Sequence, residues 1–77
     1  MNGRARIPDE FDPAARTIGE VKNVQYQYLS TQLKDYLSYA QANGFQFNLY
    51  VNTATRLSGP LQGLVDSGDI NLVRNIP

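Results

Sequence analysis

The stretch Thr17-Ile18-Gly19-Glu20-Val21-Lys22-Asn23-Val24 decides how this chain is read. In extended backbone successive side chains alternate between faces, so Ile18, Glu20, Lys22 and Val24 point one way and Thr17, Gly19, Val21 and Asn23 the other. Upstream, residues 4–9 (Arg-Ala-Arg-Ile-Pro-Asp) read as a short extended segment. Pro8 has no N–H to donate there, which suits a strand end or an edge. Residues 10–16 hold Asp12, Pro13 and two alanines and read as a turn or loop. The two segments together predict a hairpin.

Working downstream, residues 30–43 carry the clearest helical signal. Ser30 and Thr31 are good N-cap residues. Leu29, Leu33, Leu37 and Ala40 follow helical spacing with Tyr36 beside them, and Asn43-Gly44 is a stop. Phe45 to Val51 predicts a strand, with Phe45, Phe47, Leu49 and Val51 alternating against Gln46, Asn48 and Tyr50. Residues 52–55 read as a loop. A second helix is expected over 57–67, with Ser58 as N-cap, Pro60 in the first turn and Leu61, Leu64 and Val65 as its apolar face. Ile70 to Val73 predicts a short last strand. The order is β-β-α-β-α-β. This is an α/β domain spanning 1–77, with a mixed central sheet flanked by two helices and parallel crossovers.

Composition narrows the chemistry. A domain of 77 residues has little core to spare. It has no Cys and no His, so no disulfide can staple it, and any metal must be held by carboxylates and carbonyls. Such hard oxygen ligands suit Mg, Mn or Ca rather than Zn. The formal net charge is zero, so no overall basic field draws in nucleic acid, and only local charge could do so. No apolar run approaches the ~20 residues of a membrane span, and the N-terminus lacks a signal-peptide core.

Glu20 and Lys22 share one strand face. A carboxylate beside an ammonium suits metal-assisted hydrolysis. The carboxylate holds a divalent cation, the cation acidifies a bound water, and the amine orients that water or steadies charge on a phosphate. A second carboxylate is needed, and the hairpin offers Asp9, eleven positions before Glu20. Alone, Glu-x-Lys is more often a solvated strand face and Pro-Asp an ordinary turn. It is their meeting across one hairpin that carries weight.

At these residues the chain resembles the PD-(D/E)xK nuclease superfamily, with its restriction-endonuclease-like core. The matching pieces are Pro8-Asp9 and Glu20-Val21-Lys22. Gln32-Leu33-Lys34-Asp35-Tyr36 is similar to the Gln-x-x-x-Tyr motif on the helix after the catalytic strand in one branch of that superfamily. The fuller run through Leu57-Ser58-Gly59-Pro60-Leu61 resembles the restriction-fold toxin domains at the C-terminal tips of bacterial polymorphic toxins, of the Rhs or contact-dependent inhibition type.

The resemblance implies a nuclease hydrolysing DNA with Mg2+ or Mn2+. Asp9, Glu20 and the Val21 carbonyl would be metal ligands, and Lys22 the catalytic lysine. Gln32 and Tyr36 would line the site and contact nucleic-acid backbone, Gln32 as part of the catalytic set. Asp12 is a rival to Asp9. Arg6 and Arg16 flank the site as candidate phosphate contacts, as do Arg4 and Arg56, although surface arginines are ordinarily only solvated charge. The family fold opens with a helix ahead of the first core strand. That helix is missing here, so the expectation is either the C-terminal fragment of a longer polypeptide or a fold in which the helix is dispensable. A secreted or delivered effector acting in the target-cell cytoplasm, with a cognate immunity protein, follows from the toxin resemblance. A ribonuclease on the same fold, and a non-catalytic binding or assembly module able to form a homodimer, are the competing expectations.

Overall fold

Strand β2 (Thr17–Lys22) sits between two partners in the computed structural model, which describes residues 8–76. On one side β1 (Glu10–Asp12) runs antiparallel to it, pairing Glu10 with Gly19 and Asp12 with Thr17. On the other side β4 (Gln46–Asn52) runs parallel, from Thr17 against Gln46 to Lys22 against Val51. Strand β6 (Asn71–Ile76) continues the parallel sheet beside β4, so the spatial order is β1-β2-β4-β6.

Helix α1 (Thr31–Asn43) connects β2 to β4, and α2 (Gly59–Asp66) connects β4 to β6. Each begins where the sequence supplies a cap. The Ser30 hydroxyl accepts from the Leu33 N–H at 3.2 Å, and the Ser58 hydroxyl from the Leu61 N–H at 3.4 Å. These bonds satisfy N–H groups that have no partner within the helix. Helix α1 stops at Gly44, whose φ of 69° lies in the left-handed region that glycine enters without steric cost.

The two crossovers advance across the sheet in the same direction, β2 to β4 to β6. With right-handed connections both helices must fall on one face. The core confirms it. Ile18, Phe47, Leu49 and Val51 from the strands, Leu33, Tyr36, Leu37 and Ala40 from α1, Leu61 from α2, and Ile70 form a single buried cluster. Tyr36 meets Phe47 edge-on at 6.3 Å between ring centroids. At the sheet edge Phe11 stacks on Phe45 at 5.7 Å and leans on Tyr39, which pins β1 to the far end of α1.

The opposite sheet face is polar. Glu10 Oε1 accepts from Asn48 Nδ2 at 3.1 Å and from the Tyr50 hydroxyl at 2.9 Å. Asn48 Oδ1 in turn accepts from Gln46 and Asn71. Gly19 makes room for this network. A Cβ on it would come within 2.5 Å of Glu10 Oε1 and 3.0 Å of the Asn48 carbonyl oxygen.

Three local expectations change. Among the described residues the first strand is Glu10–Asp12, within the stretch 10–16 expected to be loop, and only 13–16 turn, because Asp12 Oδ1 accepts from the N–H groups of Ala14 and Ala15 and starts the turn there. Most of the expected segment 4–9 lies outside the described residues. The alternation after Thr17 ends at Lys22, so Val24 is not part of the strand. Finally, a second sheet exists: β3 (Tyr26–Gln27), in a stretch where the sequence predicts no element, pairs in parallel with β5 (Arg56–Leu57), so Leu57 belongs to a strand and not to the helix expected over 57–67.

Candidate active site

The C-terminal half of β2 brings the central residues together. Glu20 is buried on the helix side of the sheet, and Lys22, two residues on, shares that face. Lys22 Nζ lies 3.5 Å from Glu20 Oε2 and donates to Gln32 Oε1 at 2.9 Å. Gln32 reaches it from the first turn of α1, because the crossover from β2 returns the chain to the end of β2. Gln32 Nε2 sits 3.5 Å from the Tyr36 hydroxyl, one helical turn further along.

Asp9 stands just before β1 and completes the hairpin contact. Its backbone N–H donates to Glu20 Oε1 at 3.2 Å, and its Oδ2 accepts from the Val21 N–H at 2.9 Å. Two acidic side chains on neighbouring segments thus converge beside one amine. Sequence reasoning placed Asp9, Glu20 and Lys22 together but missed the direct Lys22–Gln32 bond. Its signal was present: Gln32 lies two residues past a strong N-cap, at the end of a helix that a short crossover must bring back to β2.

The electrostatics of the pair are unequal. The Val21 N–H, the hydrogen bond with Glu20 and the Lys22 charge hold the Asp9 carboxyl below its ordinary value, against a smaller upward push from burial. Burial pushes Glu20 up, and the hydrogen bond and negative charge of Asp9 add to that, only partly opposed by the Asp9 N–H and Lys22. Burial and the neighbouring Asp9 carboxylate thus make Glu20 the member of the pair whose charge is disfavoured.

Stability inherits a sign from these shifts. Glu20 has a folded pKa above its ordinary 4.5, so its contribution is complete below that pH and is lost as pH rises through the raised value. Asp9 has a folded pKa below 3.8, so its contribution is present above 3.8 and is lost as pH falls through the lowered value. In EDTA, the urea midpoint should fall as pH rises from about 4.5 towards neutrality. Glu20→Gln should flatten that limb. A parent protein already flat there would show that Glu20 carries no such penalty.

Among the described residues, no three Asp or Glu side chains group closely enough to hold a metal ion. Two carboxylates with backbone and solvent oxygens are nonetheless a usual donor set for Mg2+, which keeps several waters and takes ligands from substrate phosphates. The residues present fit such an ion. A cation held there would relieve the repulsion that Asp9 exerts on Glu20.

The remaining candidates separate. Asp12 points to the other sheet face with Thr17, and its Oδ1 is engaged in the turn. It does not join Asp9 or Glu20. Arg16 precedes β2 at the end opposite Lys22, in a left-handed conformation (φ 58°), with its carbonyl accepting from the Gln46 N–H. Strand rise puts it on the order of 20 Å from Lys22, too far to flank the same phosphate. Tyr36 is fully buried, so it cannot touch nucleic-acid backbone and instead packs under Gln32. Arg4 and Arg6 lie outside the described residues.

The family model for restriction endonuclease fold toxin 7 matches residues 1–61. That range contains Asp9, Glu20, Lys22, Gln32 and both N-caps. No curated protein and no solved structure matches the chain. The mixed sheet with its two helices has the restriction-endonuclease-like architecture, and the family makes a nuclease toxin domain the functional frame. The chain belongs to the restriction endonuclease fold toxin 7 family.

Proposed function

We propose that this chain is a metal-dependent nuclease that hydrolyses phosphodiester bonds of DNA, working as an antibacterial effector. On this reading it is delivered into the target-cell cytoplasm, and a cognate immunity protein blocks it in the producing cell. The observation that carries the reading is the convergence of Asp9 and Glu20 beside a lysine 3.5 Å from the buried carboxylate.

Asp9 and Glu20 would hold Mg2+ or Mn2+, with the Val21 carbonyl as a further oxygen. Bound there, the ion supplies a water of lowered pKa and neutralises charge developing at phosphorus. The chain's own part is orientation. Lys22 carries three N–H donors. One goes to Gln32 and another faces Glu20, leaving the third for the attacking water or a non-bridging phosphate oxygen. Gln32 fixes the amine so that little rotamer freedom is lost as charge builds. Water adds to phosphorus and gives up a proton to solvent, the bond to the departing sugar oxygen breaks, and that oxygen takes a proton from solvent.

The test is to incubate the protein with supercoiled plasmid and with folded RNA in parallel, in Mg2+, Mn2+ or EDTA. Plasmid nicking in Mg2+ and none in EDTA is expected. Cutting that persists in EDTA would refute the metal assignment. Degraded RNA beside intact plasmid would make the domain a ribonuclease.

A further inference from the structure

The ribbon β3–β5 has two unlike faces. Gln27 and Leu57 are registered partners; Gln27 is buried and Leu57 packs against the core. Their neighbours turn outwards. Tyr26 is 56% exposed and Tyr28 61%, the most exposed of the large hydrophobic side chains among the described residues. Arg56, the registered partner of Tyr26, is exposed on the same side.

This ribbon is firmly held. The Arg56 N–H donates to the Gln25 carbonyl and the Ser58 N–H to the Gln27 carbonyl, both at 2.9 Å. The Thr55 hydroxyl donates to the Val24 carbonyl at 2.7 Å, and Asn52 Nδ2 donates to that same oxygen. Arg74 Nη1 donates to the Thr55 carbonyl at 2.7 Å, tying β6 to the same turn. Exposed rings on a rigid support lose little entropy when something stacks on them.

Position gives the ribbon its meaning. Its strand β3 is the middle of the segment joining Lys22 to Gln32, whose side chains touch. Tyr26 is four residues from Lys22, and Tyr28 is four from Gln32, so each tyrosine lies within about 14 Å of a site residue, Cα to Cα. That reach equals roughly four stacked nucleotides.

Resting on the nuclease reading above, we propose that Tyr26, Tyr28 and Arg56 form a stacking platform that takes unpaired bases of a single-stranded or frayed substrate next to the cutting site. The net charge of zero supports this. With no overall positive field, attraction for phosphates is weak, and retention must come from another source. Aromatic faces bind any base without reading sequence, and a guanidinium beside them adds a phosphate contact. Paired bases keep their faces stacked on one another and cannot use the platform, so the preference is for single strands over duplex.

Fluorescence anisotropy with a labelled 12-nucleotide single strand and its duplex, in EDTA so that nothing is cut, tests the platform separately from catalysis. Tyr26→Ala and Tyr28→Ala should each weaken single-strand binding about tenfold and leave duplex binding unchanged. Tyr26→Phe should restore the parent affinity, because the ring is kept. Arg56→Ala should reduce the salt slope by about 0.7, which the tyrosine variants should not. Circular dichroism should be unchanged throughout.

If the alanine variants bind single strands as well as the parent, the proposal is overturned and the patch faces a protein instead. Tyrosine-dependent binding by a chain that cuts neither DNA nor RNA would uphold the platform while ending the nuclease reading. Cutting by a chain whose tyrosines do not matter would do the reverse.

Discussion

Replacing Lys22 by alanine, or Glu20 by glutamine, is expected to lower cleavage by about 10²–10³-fold while the chain stays folded. The two variants reach this loss by different routes. In Glu20→Gln the amide oxygen still accepts from the Asp9 N–H, so the hairpin contact at 3.2 Å survives. What disappears is the charge. Burial already disfavours that charge, so the fold gains stability near neutral pH as the site loses the carboxylate proposed to hold the metal. Lys22→Ala does the opposite to stability. It leaves a buried carboxylate without the cation 3.5 Å away and deprives Gln32 of its donor.

Plasmid-nicking rates in Mg2+, paired with urea unfolding, read both effects at once. Activity should fall in both variants, while the urea midpoint moves up in one and down in the other. Parental cleavage by either variant would mean that the converging side chains are structural only.

The second large effect lies in the core. Tyr36→Ala should destabilise the chain by about 3–5 kcal/mol, the usual cost of removing a buried aromatic ring. A domain of this size has on the order of 4–11 kcal/mol in total, so a sizeable unfolded fraction is expected at 37 °C. Tyr36→Phe keeps the ring against Phe47 and should cost about 1 kcal/mol, a typical hydrogen-bond loss. Cleavage by the phenylalanine variant should stay within a few-fold of the parent, because the ring never reaches substrate. If Tyr36→Phe instead abolished cleavage with its stability intact, the hydroxyl would have a role at the site that burial does not suggest. Thermal unfolding and nicking rates on the same samples distinguish the cases.

The difference between Gln32 and Tyr36 shows where sequence reading reaches its limit. Both lie on one side of α1, one turn apart, and the spacing alone gives them the same environment. In the fold Gln32 meets Lys22 near the strand end, while Tyr36 points deeper and is closed over by the sheet. Helical periodicity names a face, and only the depth of the neighbouring strands decides which residues on that face can meet a ligand.

By itself the sequence determined the strand holding Glu20 and Lys22, both capped helices, the alternation of β4 and the meeting of Asp9 with Glu20. These rest on local rules: side-chain period, cap chemistry and the short reach of a hairpin. Tertiary structure alone decided that both helices share one face, that Tyr36 is closed off from solvent, and that Tyr26 pairs with Arg56 thirty positions away. A two-residue strand is too short to carry a period, and its pairing depends on where two crossovers deliver distant segments. No window along the chain contains that information.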